Sequence, residues 1–245
     1  MTTKAHPLLS WSPEAVVFDC DGTLMDTERH WQDARSQVFR QFGLRPLPGF
    51  AERAKGVHYT DCGRLMAEES DKPHLAGELT ESLLTHFMEL VADDPVTMPG
   101  AAEFVRRLSG RLPLAVASNC PLEVVEMSLE RAGLLHHFRH LVVPDEPSAG
   151  AAPGSATVRP KPWPDVYARA AWLCGADPDS TLAVEDSLTG IESARRAGLR
   201  VLGVGPRPGE EDASRADLWV TTLHSPVLLA WVRAHVPQQG GSAEG

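Results

Sequence analysis

The chain has 245 residues, 42% hydrophobic and 23% charged, with 23 Lys plus Arg against 33 Asp plus Glu and a formal charge of −10. Its length predicts one or two domains and a core large enough to need no disulfide or metal staple. The acidic balance and the lack of a basic block argue against a nucleic-acid surface. No apolar run reaches the ~18 residues of a membrane span, and no Lys/Arg-rich amphipathic helix offers a membrane-surface mode. The N-terminal stretch has no long apolar core after Lys4, so no secretory signal is expected there. Cys20, Cys62, Cys120 and Cys174 are scattered without a C-x-x-C pair. That is neither a disulfide framework nor a zinc pattern, and it predicts a reducing, cytoplasmic setting.

In chain order, Ala15-Val16-Val17-Phe18 is a continuous apolar run, as expected of a strand buried on both faces. It stops at the polar loop Asp19-Cys20-Asp21-Gly22-Thr23. Apolar residues at three- and four-residue spacing (Trp31, Ala34, Val38, Phe39, Phe42) predict a helix over 27–42, stopped by Gly43. Residues 44 to about 95 carry helical stripes, broken by Pro46, Pro48 and Pro73, and no convincing strand. From Pro99-Gly100 the pattern alternates. Helices are predicted near 100–109, 121–132, 164–173 and 188–197. Strands are predicted at 114–117, 141–143, 181–184, 200–204 and 218–220. Alternation of this kind argues for an α/β fold, a Rossmann-like parallel-sheet core. The helical stretch 27–95 is the candidate inserted second domain, and the core comprises 1–26 and 96–236. Residues 144–164 hold six prolines, and 147–158 hold no charge, so 144–160 reads as an irregular surface insertion. The tail 237–245 reads as disordered.

In open α/β sheets, sites form outside the carboxyl ends of the strands. Three predicted strands end in polar groups there: Asp19 and Asp21, Ser118 and Asn119, and Glu185 and Asp186. Lys161 lies in the proline-rich segment before a helix. Each alone has an ordinary explanation: a strand-end Asp caps helices, Ser-Asn before Pro121 makes a turn, and a single Lys is solvated. The conjunction carries more. Four carboxylates at two strand ends repel one another unless a cation lies between them, and hard oxygen ligands suit Mg²⁺. A hydroxyl and a lysine nearby suit phosphate oxygens. An ionised Asp can attack phosphorus without a general base, and a second carboxyl two residues along can protonate the leaving oxygen.

Val16-Val17-Phe18-Asp19-Cys20-Asp21-Gly22-Thr23-Leu24 resembles the first motif of the haloacid dehalogenase superfamily of phosphotransferases. Ala117-Ser118-Asn119 resembles the second, Arg159-Pro160-Lys161-Pro162-Trp163-Pro164-Asp165 the third, and the stretch Val184 to Ala194 the fourth. The resemblance covers roughly residues 14–235. It implies that Asp19 is the nucleophile and a Mg²⁺ ligand. Asp21 would be the general acid and then the base, lending its carbonyl to the metal. Ser118 would hold phosphoryl oxygens, Asn119 would orient the site, and Lys161 would bridge Asp19 and the phosphate. Asp186 would bind Mg²⁺ with Glu185 as a direct or water-mediated ligand. Gly22 is expected to meet a backbone demand near the phosphate, and Thr23 to donate to a nucleophile oxygen. The insert resembles the small α-helical cap of the branch holding phosphosugar phosphatases, phosphoglycolate phosphatase and β-phosphoglucomutase. Such a cap closes over the site and selects the substrate.

The expected function is therefore a Mg²⁺-dependent phosphatase acting on a small phosphorylated metabolite, with a sugar phosphate as the expected substrate. A β-phosphoglucomutase-like phosphomutase is the alternative. Lys55-Gly56-Val57 resembles the mutase cap loop, but the mutase's arginine two residues beyond that valine is absent. No lysine occurs between Lys72 and Lys161 to grip a second phosphate, while Asp26-Thr27-Glu28-Arg29-His30-Trp31 resembles the phosphosugar phosphatases. A binding-only protein is disfavoured because every catalytic position is filled, and a dehalogenase because Asp21 is present. The expected state is monomeric, with a dimer as the alternative. Cys20 stands where relatives carry an aliphatic residue and is read as a small apolar group. Arg29 and His30 either reach the substrate or form an exposed polar face. Trp31 is read as core or interface, and His136, His137 and His140 as a helix end, not a metal site.

Overall fold

The computed structural model describes residues 6–145 and 157–236. The tail 237–245 and most of the 144–160 insertion lie outside the described residues. The stems of the insertion are tied together: Asp145 N donates to the Val158 carbonyl at 2.9 Å and Val158 N to Asp145 Oδ2 at 2.6 Å. Arg159 forks onto Asp165 at 2.7 and 2.8 Å.

Six strands form one wholly parallel sheet: β1 (Ala15–Phe18), β2 (Leu114–Ala117), β3 (His140–Val142), β4 (Thr181–Glu185), β5 (Arg200–Val204) and β6 (Leu218–Val220). Their order is β3-β2-β1-β4-β5-β6. Every residue of β1, β2 and β4 is buried, which is why β1, β2 and the middle of β4 read as apolar runs. After β1 the chain builds β2 and β3 on one side, then returns to build β4 on the other. The crevice that this reversal leaves lies over the carboxyl end of β1.

Successive strand residues face opposite ways. Val16, Phe18, Val116 and Val184 join one core. It is covered by α5 (Ala101–Leu108), α6 (Leu122–Arg131) and α10 (Pro226–His235). Phe18 anchors this face edge-on to Phe104 and Phe138, centroids 6.1 and 5.9 Å away. Val17, Ala115, Ala117, Ala183 and Val201 face the other core. There α7 (Asp165–Leu173) and α8 (Leu188–Arg196) rest on small side chains. A short α9 (Glu210–Ala213) follows β5. Helix α10 and the 3-10 turn Pro7–Ser10 are absent from the sequence reading. The helix begins at Ser225-Pro226, buries Leu228, Trp231 and Val232, and ties to the N-terminal segment through Trp231 Nε1 donating to the Trp11 carbonyl at 2.9 Å.

Between Met25 and Thr97 lie four helices: α1 (Glu28–Gln41), α2 (Phe50–Ala54), α3 (Tyr59–Glu69) and α4 (Ala76–Asp93). Helix α1 buries Ala34, Val38 and Phe39. Trp31 stacks on Phe87 of α4 with centroids 3.6 Å apart. Helices α3 and α4 meet at Gly63, where a Cβ would collide with Thr80. The chain crosses into and out of this layer side by side: Asp26 N donates to the Val96 carbonyl at 2.8 Å and Met98 N to the Leu24 carbonyl at 2.9 Å. No helix among the described residues is long and apolar enough to cross a membrane.

Candidate active site

The predicted groups stand at or just beyond strand ends over the crevice, except Lys161, which arrives from the turn before α7. Asp19 follows β1 directly and is buried. Its Oδ1 accepts from Lys161 Nζ at 2.6 Å, while its Oδ2 is buried and has no hydrogen-bond partner. Such an orphaned buried oxygen costs about 1–3 kcal/mol unless something fills the role of donor. Burial pushes the Asp19 carboxyl well above the ordinary carboxylate range, and Glu185, Asp186 and Asp21 add to the rise against the opposing pull of Lys161. Asp21 is held from both sides: Thr27 Oγ1 donates to its Oδ1 at 2.6 Å and Ser118 Oγ to its Oδ2 at 3.4 Å.

Asn119 clamps the segment that carries the lysine. Its Oδ1 accepts from Lys161 N at 2.8 Å, and its Nδ2 donates to the Lys161 carbonyl at 3.3 Å and the Gly56 carbonyl at 3.4 Å. Lys161 Nζ in turn lies 2.6 Å from both Asp19 Oδ1 and Glu185 Oε1. Burial opposes its charge, but the two carboxylates outweigh that and hold the Lys161 pKa above the ordinary lysine value.

Glu185 is fully buried and fully occupied. Its Oε1 accepts from Lys161 Nζ and from Tyr167 OH at 2.8 Å. Its Oε2 accepts from Asp186 N and Ser187 N, both at 3.1 Å, and from Ser187 Oγ at 3.0 Å. One oxygen each of Asp19, Glu185 and Asp186 lies within 4.8 Å of the others, so the three could in principle hold an ion. Five donors reach the Glu185 carboxylate, whereas Asp19 Oδ2 has no partner and each Asp186 oxygen has fewer. Glu185 also fixes Lys161 Nζ at 2.6 Å.

Gly190, one turn into α8, leaves the space that Glu185 fills; a Cβ there would collide with its carboxylate. In an ordinary helix interior Gly→Ala stabilises by about 1 kcal/mol. Gly190→Ala should instead destabilise by about 1–3 kcal/mol, read by urea denaturation. A gain in stability would refute this crowding.

Asp186 faces the helical layer. Its Oδ2 pairs with Lys55 Nζ at 2.9 Å, and its Oδ1 accepts from Thr23 Oγ1 at 3.4 Å. Burial raises its pKa to about 6, helped by Glu185 and opposed by Lys55. Thr23 thus faces Asp186 and not Asp19 as expected. Gly22 has φ +82°, and a Cβ there would sit 2.6 Å from Asp186 Oδ2, so crowding by this carboxylate and the turn together demand glycine.

The residues that sequence reasoning left out of the site come from the helical layer and from α7. Lys55 was noted only for its K-G-V context. Its neighbour Gly56 sits so close that a Cβ would lie 2.9 Å from Ser187, so the layer is closed against the sheet. The cleft between them is lined also by Glu28, Trp31, Arg35 and Tyr59. Buried Arg35 donates to Glu28 Oε1 at 2.8 Å. Tyr167, from α7, belongs to none of the four motifs, yet its hydroxyl reaches Glu185. Of the residues read for the substrate or an exposed face, neither Arg29 nor His30 lines this cleft. Arg29 pairs with Asp94 at 2.6 Å in the open, and His30 is buried. Trp31 is both packing and lining. Cys20 is buried, and burial pushes its thiol well up, which suits an apolar role.

A family model described as haloacid dehalogenase-like hydrolase matches residues 13–198. The chain is 28% identical over 212 residues to a probable pseudouridine-5′-phosphatase of Drosophila melanogaster, covering 84% of this chain and 88% of that protein. It is 29% identical over 196 residues to a phosphorylated carbohydrates phosphatase of Thermotoga maritima, covering 78% and 85%. Among solved structures, β-phosphoglucomutase of Clostridium difficile superposes with a TM-score of 0.73 over 91% of this chain and 98% of that one, at 19% identity, a likeness of fold.

Proposed function

The chain belongs to the haloacid dehalogenase-like hydrolases and is a phosphoric monoester hydrolase, and from this premise we propose that it cleaves a small sugar monophosphate with Mg²⁺ through a phosphorylated Asp19. The observation that carries the reading is the Asp19 carboxylate, with one oxygen fixed by Lys161 and the other buried and unpartnered. The fit to a divalent cation follows from charge. With Asp21 carrying its proton, Asp19, Glu185 and Asp186 are three carboxylates facing two ammonium groups, Lys161 and Lys55. One formal negative charge remains, and the substrate's phosphate adds its own. Asp19 and Asp186 would hold the ion, with Asp21 lending its carbonyl and Glu185 standing behind. When bound, the ion supplies Lewis-acid neutralisation of the phosphoryl oxygens and of the crowded carboxylates.

The chain's own groups then account for the chemistry. An Asp19 oxygen attacks phosphorus as the bond to the leaving sugar oxygen breaks, and Asp21, steadied by Thr27, gives that oxygen its proton. Asp21, now a carboxylate, takes a proton from water, which attacks phosphorus and returns Asp19 and inorganic phosphate. Ser118 and Lys161 meet the phosphoryl oxygens, with Gly22 and Thr23 shaping that end and Asn119 fixing Lys161. The crossings near residues 26 and 96 divide core from cap. On the cap side, Glu28 can accept from sugar hydroxyls beside the apolar surface of Trp31.

Monophosphates are favoured over the mutase chemistry because Lys55 and Arg35, cap cations in the lining, already hold Asp186 and Glu28. A second phosphate would have to displace one of them. Phosphate release should be assayed with Mg²⁺ on hexose 6-phosphates, β-glucose 1-phosphate, sugar-alcohol phosphates, phosphoglycolate and nucleotides. Release confined to sugar and sugar-alcohol phosphates, silenced by EDTA and restored by Mg²⁺, is the expected result. Conversion of β-glucose 1-phosphate to the 6-phosphate without net release would replace this reading with the mutase.

A further inference from the structure

At the opposite edge of the sheet, below the amino ends of β2 and β3, lies a second cleft of about 340 Å³. It is bordered by Arg111, His136, His137 and Arg139, with Leu112, Pro113 and Phe138 as apolar surface. Arg106, from the last turn of α5, acts electrostatically on His137. Among the described residues no carboxylate lies within 4.0 Å of Arg106, Arg111 or Arg139. The imidazoles of His136 and His137 stand 3.9 Å apart. His137 Nδ1 is engaged by Ser109 Oγ at 2.9 Å, leaving Nε2 as its other ring nitrogen. Burial, His136 and Arg106 all press His137 toward its neutral form. No neighbouring acid offsets them.

Two guanidinium groups, Arg111 and Arg139, and two imidazoles border this one cleft in a chain of formal charge −10, with Arg106 close enough to act on His137. Fork-shaped guanidinium donors match phosphate oxygens. The apolar border suits the organic body of a small molecule, and the acidic remainder of the surface repels an extended polyanion. We infer that this cleft is a second binding site, distinct from the crevice over β1, for a small molecule carrying more than one phosphate group. Arg111 and Arg139 would clamp the phosphates, with His137 donating from Nε2. The inference does not depend on the reaction proposed above.

The test is a titration of the ¹⁵N-labelled full chain with inorganic pyrophosphate in EDTA, where turnover plays no part, followed by amide chemical shifts. The amides of Gly110 and Phe138 should shift saturably, apart from any shifts at Gly22 and Asn119. In Arg111→Ala/Arg139→Ala the affinity reported by Gly110 and Phe138 should fall about tenfold or more, with the response at Gly22 and Asn119 retained. If the double variant fails to fold, Arg139→Ala, at an exposed position, carries the same comparison. Absence of saturable shifts at Gly110 and Phe138, or equal affinity in the variants, would overturn the site.

Discussion

Asp19→Asn should reduce phosphate release by on the order of a thousandfold or more while leaving the protein folded. An amide is a poor nucleophile toward phosphorus and forms no acyl phosphate, so the loss falls on the chemical step and appears in kcat. The substitution is nearly isosteric, and Lys161 keeps Glu185 as a partner at 2.6 Å. The fold should therefore survive, as circular dichroism would show. Single-turnover assays with radiolabelled substrate should trap label on the wild-type chain and none on the variant. Activity near wild type would remove Asp19 as the nucleophile and with it the covalent route.

Lys161→Met should be costly to stability as well as to activity. Lys161 is 4% exposed, and its ammonium links two buried carboxylates, Asp19 and Glu185. Removing one partner of a buried ion pair leaves uncompensated charge and costs about 3–5 kcal/mol. In a chain of this size that lowers Tm by on the order of 10 °C. Millimolar Mg²⁺ should recover part of the loss, because a cation bound only to the folded state stabilises it by mass action and relieves the same carboxylates. Thermal melts of both proteins with Mg²⁺ and with EDTA make the comparison. An unchanged melt in EDTA would mean that these carboxylates do not rely on Lys161.

The strands were legible where burial is complete. Ala15–Phe18, Leu114–Ala117 and Arg200–Val204 stand where their apolar runs place them, because a parallel strand covered on both faces leaves no room for polar residues. Helix α10 escaped notice for a related reason: Val227-Leu228-Leu229-Ala230-Trp231-Val232 is apolar without a break, which blurs the 3.6-residue period. Its start signal, Ser225-Pro226, was present. In the site, Asp19, Asp21, Ser118, Asn119, Glu185 and Asp186 are brought together because strand ends converge in a parallel sheet, a relation that chain order predicts. Lys55 meets Asp186 across 131 residues, and only the closure of the helical layer sets that distance. The full occupancy of Glu185 likewise depends on Tyr167, whose hydroxyl direction follows from how α7 seats on small residues of the sheet.

The chain leaves the sheet at Asp26 and rejoins it at Val96 through neighbouring, mutually hydrogen-bonded backbone. A segment whose two ends meet in this way behaves as a cassette. It can be lengthened, shortened or exchanged without shifting a strand, since the closure cost changes only slowly with loop length. Inheritance can therefore trade one insert for another while the sheet and the groups gathered at its strand ends stay in place.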